Sequence, residues 1–505
     1  MSNSKFKFFC VILFLIVLLF PIFSTGGKTE QEKTNIRKIY FGGQFDHIIE
    51  KYKDFDLTKE TDEFKFLYIE SMIRSGENRE AEILIKKIKN ESGSSLPLRI
   101  LEGFNSLSRG DLVTAAAISD SLSNKNRDSG SLLQLKLFVE MFKRNFNKAE
   151  VALKNLLDRE SGFGNSNLYF LIASEVFRTG REFKKLSSLY KGRMKRVNKR
   201  TGRTHYENLK LNYKLYKAGH GIFFHIDSVK DKIEIPFETG NRGSLKSIVL
   251  KRGDKKYSIL LDTGNTAGWI IHNRDLNEEL RSLRGGRIIM QIGTESEKLD
   301  GFNIFNKSVG FGEFKISGLF GKYIPKPRQD FFDANLNPAM ISNRVISLDF
   351  IRGRLIIRTD ERFISDIAKS GNMEVLKVPW FGYKYPMVPV ICNSINGLAV
   401  IETGAENISV RNDFALETGI SLSERSRYLS NGKVFKYSLG SVNVQLGKYL
   451  FVRKEAEIWP LKRFRNYLTG FVPHVIIGPE ALDKKFIVSF IPKENVIVFE
   501  YEKRN

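Results

Sequence analysis

The chain has 505 residues, of which 42% are hydrophobic and 12% aromatic, and its formal net charge is +24. This length accommodates about three domains, and the hydrophobic content excludes a chain too polar to form packed cores. The positive charge favours acidic partners, namely nucleic acid, an anionic membrane or an acidic wall polymer.

The first 27 residues have the layout of an export signal. Lys5 and Lys7 precede an apolar run at 8–23, and small residues follow at 24–27. The apolar run is short for a membrane span, but an uncleaved anchor remains an alternative to a cleaved signal. We therefore expect an extracytoplasmic protein (secreted, periplasmic or membrane-anchored) and no nucleic-acid partner. Without the signal Cys392 is the only cysteine, which excludes an intrachain disulfide and a cysteine metal cluster.

Residues 28–192 contain a repeat of about 34 residues. Ile48, Ala81, Ala115, Ala149 and Phe183 follow Gly-, Asn- or Asp-containing turns at spacings of 33, 34, 34 and 34 residues. A turn followed by a small or apolar residue lets a second helix pack closely on the first. Regular spacing of this kind predicts an all-α solenoid of stacked helical hairpins.

This region resembles tetratricopeptide repeats, although no proline closes its repeats and the aromatic residue of the first helix is inconsistent. The resemblance implies an extended concave surface that binds a protein partner. The alternative is a rigid spacer or a dock for the domain that follows.

Residues 193–231 are predicted to form a basic linker with a capping helix at 205–218. Seven of the thirteen residues at 191–203 are Lys or Arg. Such a cluster could contact an anionic membrane or wall surface, and the alternative is a solvated helix end.

From residue 232 the pattern changes to short strands, and two stretches share one motif. Residues 258–264 and 398–404 each form an apolar strand that ends in a carboxylate, a threonine and a glycine. The carboxylates, Asp262 and Glu402, are 140 residues apart, as are Asp349 and Ser489 in two later β-hairpins. A common offset predicts a duplicated all-β unit, with lobe 1 at 232–370 and lobe 2 at 371–505.

These residues resemble the aspartic peptidases of the retropepsin and pepsin type, over about residues 230–503. Lobe 2 carries the strand, Thr403-Gly404-Ala405 and the later Ile476-Ile477-Gly478 element. Lobe 1 carries Asp262-Thr263-Gly264, but its apolar-apolar-Gly element is degraded. The offset of 140 puts Asn337-Pro338 there, and a gapped alignment puts Met340-Ile341-Ser342 there.

The resemblance implies an endopeptidase acting on polypeptide substrates, with Asp262 and Glu402 as the catalytic pair and no metal or cofactor. Two close carboxylates share one proton, so that one activates a water and the other donates a hydrogen bond to the substrate carbonyl. Thr263 and Thr403 would brace the two turns, and Gly264 and Gly404 would let them approach closely.

Glu402 departs from the family pattern, in which the second motif also carries Asp. Its extra methylene moves the carboxylate outward by about 1.3–1.5 Å, and misplacement on that scale can reduce a rate about a hundredfold. Asn265 is a milder departure, since Ser or Ala is usual there. The alternative function is a catalytically silent, peptidase-like module that holds peptides or acts as a scaffold on the extracytoplasmic side of the membrane.

Overall fold

The computed structural model describes residues 35–502 with internal gaps. The gaps are residues 58–59, 124–128, 144, 161, 198–201, 221–223, 239–243, 281–282, 293–296, 326–331, 360–372, 381–384, 429–433, 462–471 and 495. The predicted export signal at 1–27 lies outside the described residues. None of the helices within the described ranges combines the length and the apolar composition that a membrane span requires.

Consecutive helices packed in pairs make up the first part of the described chain. After a helical segment at 35–41 they are α1 (Phe45–Tyr52), α2 (Asp62–Ser75), α3 (Asn78–Ser92), α4 (Leu96–Ser108), α5 (Leu112–Ser123), α6 (Gly130–Phe142), α7 (Phe146–Arg159), α8 (Asn167–Thr179), α9 (Phe183–Arg196) and α10 (Arg203–Lys217). The helix α10 overlaps the predicted capping helix at 205–218 and begins two residues earlier.

Tight turns join the helices of each pair. The residue two positions before the second helix has a left-handed backbone at Gly43, Gly76 and Gly110, with φ of 72°, 83° and 82°. Glycine adopts this conformation without steric cost, so the chain reverses within two or three residues. The turns therefore explain the regular spacing seen in the sequence.

The position that the sequence analysis followed through the repeats is fully buried at Ile48, Ala81, Ala115 and Ala149. In the last repeat the prediction of Phe183 is wrong, because Leu186 occupies the equivalent place. The N–H of Leu186 bonds to the Glu182 carbonyl four residues back, as that of Ala149 bonds to Asn145. The last repeat is longer by three residues, and Phe183 begins its helix instead.

Lobe 1 is a sheet with strand order β3-β4-β9-β5-β8-β7-β6, in which β1 pairs with β8. The lobe 1 segment also contributes β2, β10 and β11 to a separate sheet. The strands of the segment are β1 (His225–Asp227), β2 (Lys232–Pro236), β3 (Ser247–Arg252), β4 (Lys255–Leu261), β5 (Trp269–Ile271), β6 (Leu283–Ile292), β7 (Glu297–Phe311), β8 (Phe314–Tyr323), β9 (Ala334–Leu336), β10 (Val345–Asp349) and β11 (Arg354–Arg358). A short helix, α11 (Arg274–Glu279), follows β5, and a 3-10 turn, Pro338–Met340, follows β9.

Lobe 2 repeats this order as β13-β14-β19-β15-β18-β17-β16. Its strands are β12 (Met373–Pro379), β13 (Met387–Cys392), β14 (Ile395–Ile401), β15 (Ser409–Arg411), β16 (Ser423–Tyr428), β17 (Val434–Leu446), β18 (Tyr449–Trp459), β19 (Val475–Ile477), β20 (Phe486–Ile491) and β21 (Val496–Glu502). Helices α12 (Asn412–Glu417) and α13 (Pro479–Leu482) stand where lobe 1 has α11 and the 3-10 turn.

A third sheet joins the two lobes, with strand order β12-β21-β20-β10-β11-β2. The central strands β10 and β20 are antiparallel, and Leu348 pairs with Val488, a residue 140 positions later. A pair of residues at the repeat offset marks the local two-fold axis that relates the lobes. The predicted fold class, a helical solenoid followed by an all-β bilobal unit, is confirmed.

The helical region packs against both lobes. Its hydrophobic core also contains Met387, Leu398, Val400 and Ile476 from the outer side of lobe 2. On lobe 1, Asn208 of α10 accepts a hydrogen bond from the Gly286 N–H of strand β6 (2.9 Å). Part of the solenoid surface therefore serves as the dock for the β lobes, which was the alternative to a purely partner-binding solenoid.

Candidate active site

Each motif carboxylate follows the end of a strand that is paired in parallel with a second strand. Asp262 follows β4, and its N–H donates to the carbonyl of Leu336 in β9 (2.9 Å). Glu402 follows β14, and its N–H donates to the carbonyl of Ile477 in β19 (3.1 Å). Both strands are apolar and buried, so the carboxylates are fixed at the tips of rigid elements rather than on mobile loops.

Thr263 and Thr403 hold the two turns together. The backbone N–H of Thr263 donates to Oγ1 of Thr403 (3.0 Å), and that of Thr403 donates to Oγ1 of Thr263 (2.9 Å). Each hydroxyl then donates to the carbonyl of the opposite strand, Ile401 and Leu261 respectively, at 2.6 Å. Both side chains are fully buried, so this crossed pair of hydrogen bonds fixes the separation of the two lobes.

The carboxylates accept hydrogen bonds from their own turns. Asp262 Oδ1 accepts from the Gly264 N–H (3.1 Å) and Glu402 Oε1 from the Gly404 N–H (2.9 Å). A Cβ placed on Gly404 would lie 2.7 Å from Asp262 Oδ1 and 2.8 Å from Glu402 Oε1. These two oxygens are therefore no farther apart than the total of those distances, about 5.5 Å. One water can bridge such a gap, because its hydrogen bonds to oxygen are about 2.7–2.8 Å long.

The glycines leave room for the carboxylates. A Cβ on Gly264 would coincide with Oε2 of Glu402, whose longer side chain reaches across to the lobe 1 turn. A Cβ on Gly404 would press against Asp262. A side chain at either glycine would displace a carboxylate, so both positions require glycine for the site to form.

Two asparagines that the sequence analysis did not assign to the site support Asp262. Asn335 Nδ2 lies 3.4 Å from Asp262 Oδ2, and Asn337 Nδ2 donates to the carbonyls of Thr263 (3.0 Å) and Asn265 (3.1 Å). Asn265, the other departure from the family pattern, caps its own turn by accepting from the Ala267 N–H (3.0 Å). The sequence feature that could have identified Asn335 and Asn337 is that they flank Leu336 at positions where lobe 2 has an apolar residue and a glycine.

The structure supports neither of the two alignments of the degraded lobe 1 element. Leu336 occupies the place of Ile477, and Asn337 that of Gly478, so the offset here is 141 rather than 140. The alignment at 337–338 is therefore wrong by one residue, and the gapped alignment at 340–342 is wrong by more. Asn337 substitutes for glycine because its amide bonds the Asp262 turn directly.

All six predicted site residues lie together at the junction of the lobes. They are Asp262, Thr263, Gly264, Glu402, Thr403 and Gly404. Among the described residues no group of three or more His, Cys, Asp or Glu side chains is arranged to hold a metal ion. The chemistry available here is that of two neighbouring carboxylates.

No protein-family model matches the chain, and no curated protein matches it. Among solved structures the chain is similar to a retropepsin-like aspartic protease from Rickettsia conorii, at 16% sequence identity and a TM-score of 0.20. The match covers 26% of this chain and 94% of the other. At that TM-score the likeness carries no weight, and the function is inferred from the geometry of the site.

Proposed function

We propose that the protein is an aspartic-type endopeptidase, with Asp262 and Glu402 as its catalytic pair. The observation that supports this most directly is the crossed bonding of Thr263 and Thr403, which holds the two carboxylates within reach of one water. A packing interface between two lobes would not require a carboxylate from each lobe to face the other, because bringing two carboxylates together away from water is costly.

In the proposed reaction, ionised Asp262 removes a proton from the water while the water oxygen attacks the peptide carbonyl carbon. Protonated Glu402 gives its proton to the carbonyl oxygen, which yields a neutral tetrahedral diol. Asp262 then gives its proton to the amide nitrogen, ionised Glu402 takes a proton from one hydroxyl of the diol, and the C–N bond breaks. An amine and a carboxylic acid leave, and the two carboxyls again hold one proton between them.

The surroundings of the two carboxylates support this division of roles. Glu402 is 4% exposed, whereas Asp262 is half-buried and has the Asn335 amide beside Oδ2. Burial disfavours the charged form of a carboxyl group, and a nearby N–H donor favours it. Glu402 is thus the better proton carrier and Asp262 the better base.

A second candidate is a catalytically silent module that holds peptides between the lobes. The reach of Glu402 across Gly264 favours it, because the carboxylate fills space that a water would need. In either case we propose a polypeptide as the ligand of the lobes, a protein partner for the solenoid, an anionic surface for the basic linker, and an extracytoplasmic location.

A cleavage assay with Glu402 variants separates the two candidates. Unfolded protein substrates are incubated across acidic to neutral pH with wild type, Glu402→Gln and Glu402→Asp, and new peptide N-termini are counted by mass spectrometry. A peptidase cleaves as wild type, loses activity in Glu402→Gln and keeps or gains it in Glu402→Asp. Substrate that is bound but never cut, by wild type or by Glu402→Asp, identifies the silent module.

A further inference from the structure

A cavity of about 180 Å³ lies between the helical region and lobe 1. It is bounded by the turn between α8 and α9, the end of α10, strands β1 and β8, and Ser342. Its described lining contains two guanidinium groups, Arg178 and Arg181, and two imidazoles, His220 and His225. These cationic and potentially cationic groups come from three separate segments, which the fold brings to one place.

The carboxylates near this cavity nearly balance its fixed positive charge. Asp227 accepts a hydrogen bond from the hydroxyl of Ser317, which lines the cavity (2.7 Å), and Glu175 lies 3.7 Å from Arg178. Lys307 adds a positive charge that acts on His220. The net charge facing the cavity therefore depends on whether the two histidines are protonated.

Both histidines have a lowered pKa. For His220 the causes are burial and then Lys307, and for His225 they are burial and then the charge of Arg181, opposed by Asp227. The Nδ1 atom of His225 also lies 3.2 Å from Oγ of Ser342. A bound anion would oppose both causes by supplying negative charge next to the two rings, of which His220 is half-buried and His225 exposed.

Arg181 occupies a turn position that is glycine in the first three repeats, at Gly43, Gly76 and Gly110, and arginine in the fourth, at Arg144. It precedes the second helix of its pair, as Gly43, Gly76 and Gly110 do, and its φ is 59°. Residues other than glycine are disfavoured in this left-handed backbone region. Residues with strained backbones of this kind are found most often at functional sites. The glycine-containing turns show that packing at this position does not require arginine, and at Arg181 the side chain lines the cavity.

We propose that this cavity binds a tetrahedral dianion, a sulfate or phosphate group, between Arg178 and Arg181, with proton uptake by His220 and His225. Planar guanidinium groups pair with two oxygens of such an anion at once. The volume of about 180 Å³ suits a small oxyanion or the head of a phosphorylated side chain and is below the range typical for drug-sized ligands. Because helices and lobe 1 both line the cavity, the anion would brace their junction.

The test measures sulfate binding to the full-length protein by calorimetry, with chloride at equal ionic strength as the reference. Sulfate stays a dianion from pH 5.5 to 8, so any pH dependence belongs to the protein. We expect saturable binding of one sulfate per chain, at least tenfold tighter at pH 5.5 than at pH 8. His220→Gln with His225→Gln should remove that pH dependence.

Arg181→Gly is the decisive variant, because it introduces the residue that the turns at Gly43, Gly76 and Gly110 use. We expect its melting temperature without sulfate to equal or exceed that of wild type, and its sulfate affinity to fall at least tenfold. Arg274→Gln removes an exposed cation elsewhere on lobe 1 and should bind sulfate as wild type does. Equal affinity in Arg181→Gly, or a signal that does not saturate, would overturn the proposal.

Further titrations distinguish the sources of the anion. Inorganic phosphate and a phosphoserine peptide are compared with sulfate on wild type and Arg181→Gly. Tighter binding of the peptide than of inorganic phosphate assigns a phosphorylated polypeptide, and equal binding assigns the free anion. If inorganic phosphate, the phosphoserine peptide and sulfate all fail to bind, the site is rejected.

Discussion

The hydroxyl oxygens of Thr263 and Thr403 lie 3.3 Å apart, and each threonine bonds both to the backbone N–H of the other and to a carbonyl of the opposite strand. The two residues are 140 positions apart, the offset that relates the lobes. The turns that carry Asp262 and Glu402 therefore cannot separate without breaking four buried hydrogen bonds.

Thr263→Val should destabilise the β lobes by about 2–4 kcal/mol, because it removes one donor and leaves the Thr403 N–H without an acceptor. Thr403→Val should lower the unfolding free energy by a similar amount, because it leaves the Thr263 N–H without an acceptor. Urea unfolding followed by tryptophan fluorescence measures this loss selectively, since all three tryptophans, Trp269, Trp380 and Trp459, lie in the lobes.

Thr114→Val is the matched control, because Thr114 is exposed on α5. It should change the unfolding free energy by less than about 0.5 kcal/mol. If Thr263→Val were as mild as this control, the crossed bonds would not determine how the lobes are held.

The sequence could predict the duplicated site because one offset applies to both motifs and to both closing hairpins. Offset patterns fail where side-chain hydrogen bonding replaces a backbone feature. Asn337 replaces a glycine by bonding two carbonyls of the Asp262 turn, and the register shifts by one residue there. The prediction at Phe183 failed for a different reason. The last repeat has three extra residues, so Leu186 occupies the place that a spacing of 34 residues had assigned to Phe183.

The contact between solenoid and lobe 2 can be tested at Gly110. A Cβ there would lie 2.6 Å from Cδ2 of Leu398, and the φ of 82° already disfavours other residues. Gly110→Ala should therefore cost about 1–3 kcal/mol more than a change that alters only the backbone. Gly162→Ala supplies that comparison, with φ of 81° and no atom within 4 Å of the added Cβ. Equal unfolding free energies for the two variants would mean that the solenoid does not dock as described.

His474 makes lobe 2 sensitive to acid. Burial, followed by the charges of Arg411 and Arg109, lowers the pKa of His474 well below its usual 6.5. Its Nδ1 accepts the Leu398 N–H (3.1 Å), so protonation would break that bond. Below pH 6.5 the unfolded chain binds a proton that the folded chain does not, and stability falls as the pH decreases.

His474→Asn keeps an acceptor for Leu398 but cannot titrate in this range. Between pH 6.5 and 5.5 the wild type should lose about 1 kcal/mol more unfolding free energy than the variant. Urea midpoints at the two pH values provide the measurement. Parallel losses in both proteins would remove His474 from the acid response.

Glu500 produces the opposite dependence in the sheet between the lobes. Burial, with a further contribution from Asp349 and opposed by Arg358, raises the pKa of Glu500 from 4.5 to about 7. Neither carboxyl oxygen has a hydrogen-bond partner among the described residues. Between these pH values the folded chain binds more protons than the unfolded chain, so the stabilising contribution of Glu500 is lost as the pH rises.

Glu500→Gln should therefore stabilise the protein by about 1–2 kcal/mol at pH 8, allowing for partial solvent screening, and change it little at pH 5. The difference between the two pH values in urea midpoint is the test. If the difference in stability between Glu500→Gln and wild type is the same at pH 5 and pH 8, Glu500 does not titrate between these pH values.

The proposed role of Asp262 as the base that activates water is tested most directly by the kcat/KM of Asp262→Ala on an unfolded protein substrate. We predict a loss of at least about a thousandfold, since the base is removed. The matched control Asp254→Ala, at an exposed turn of the same lobe, should retain the wild-type kcat/KM. Cleavage by Asp262→Ala at the wild-type rate would show that Asp262 is not the base that activates water.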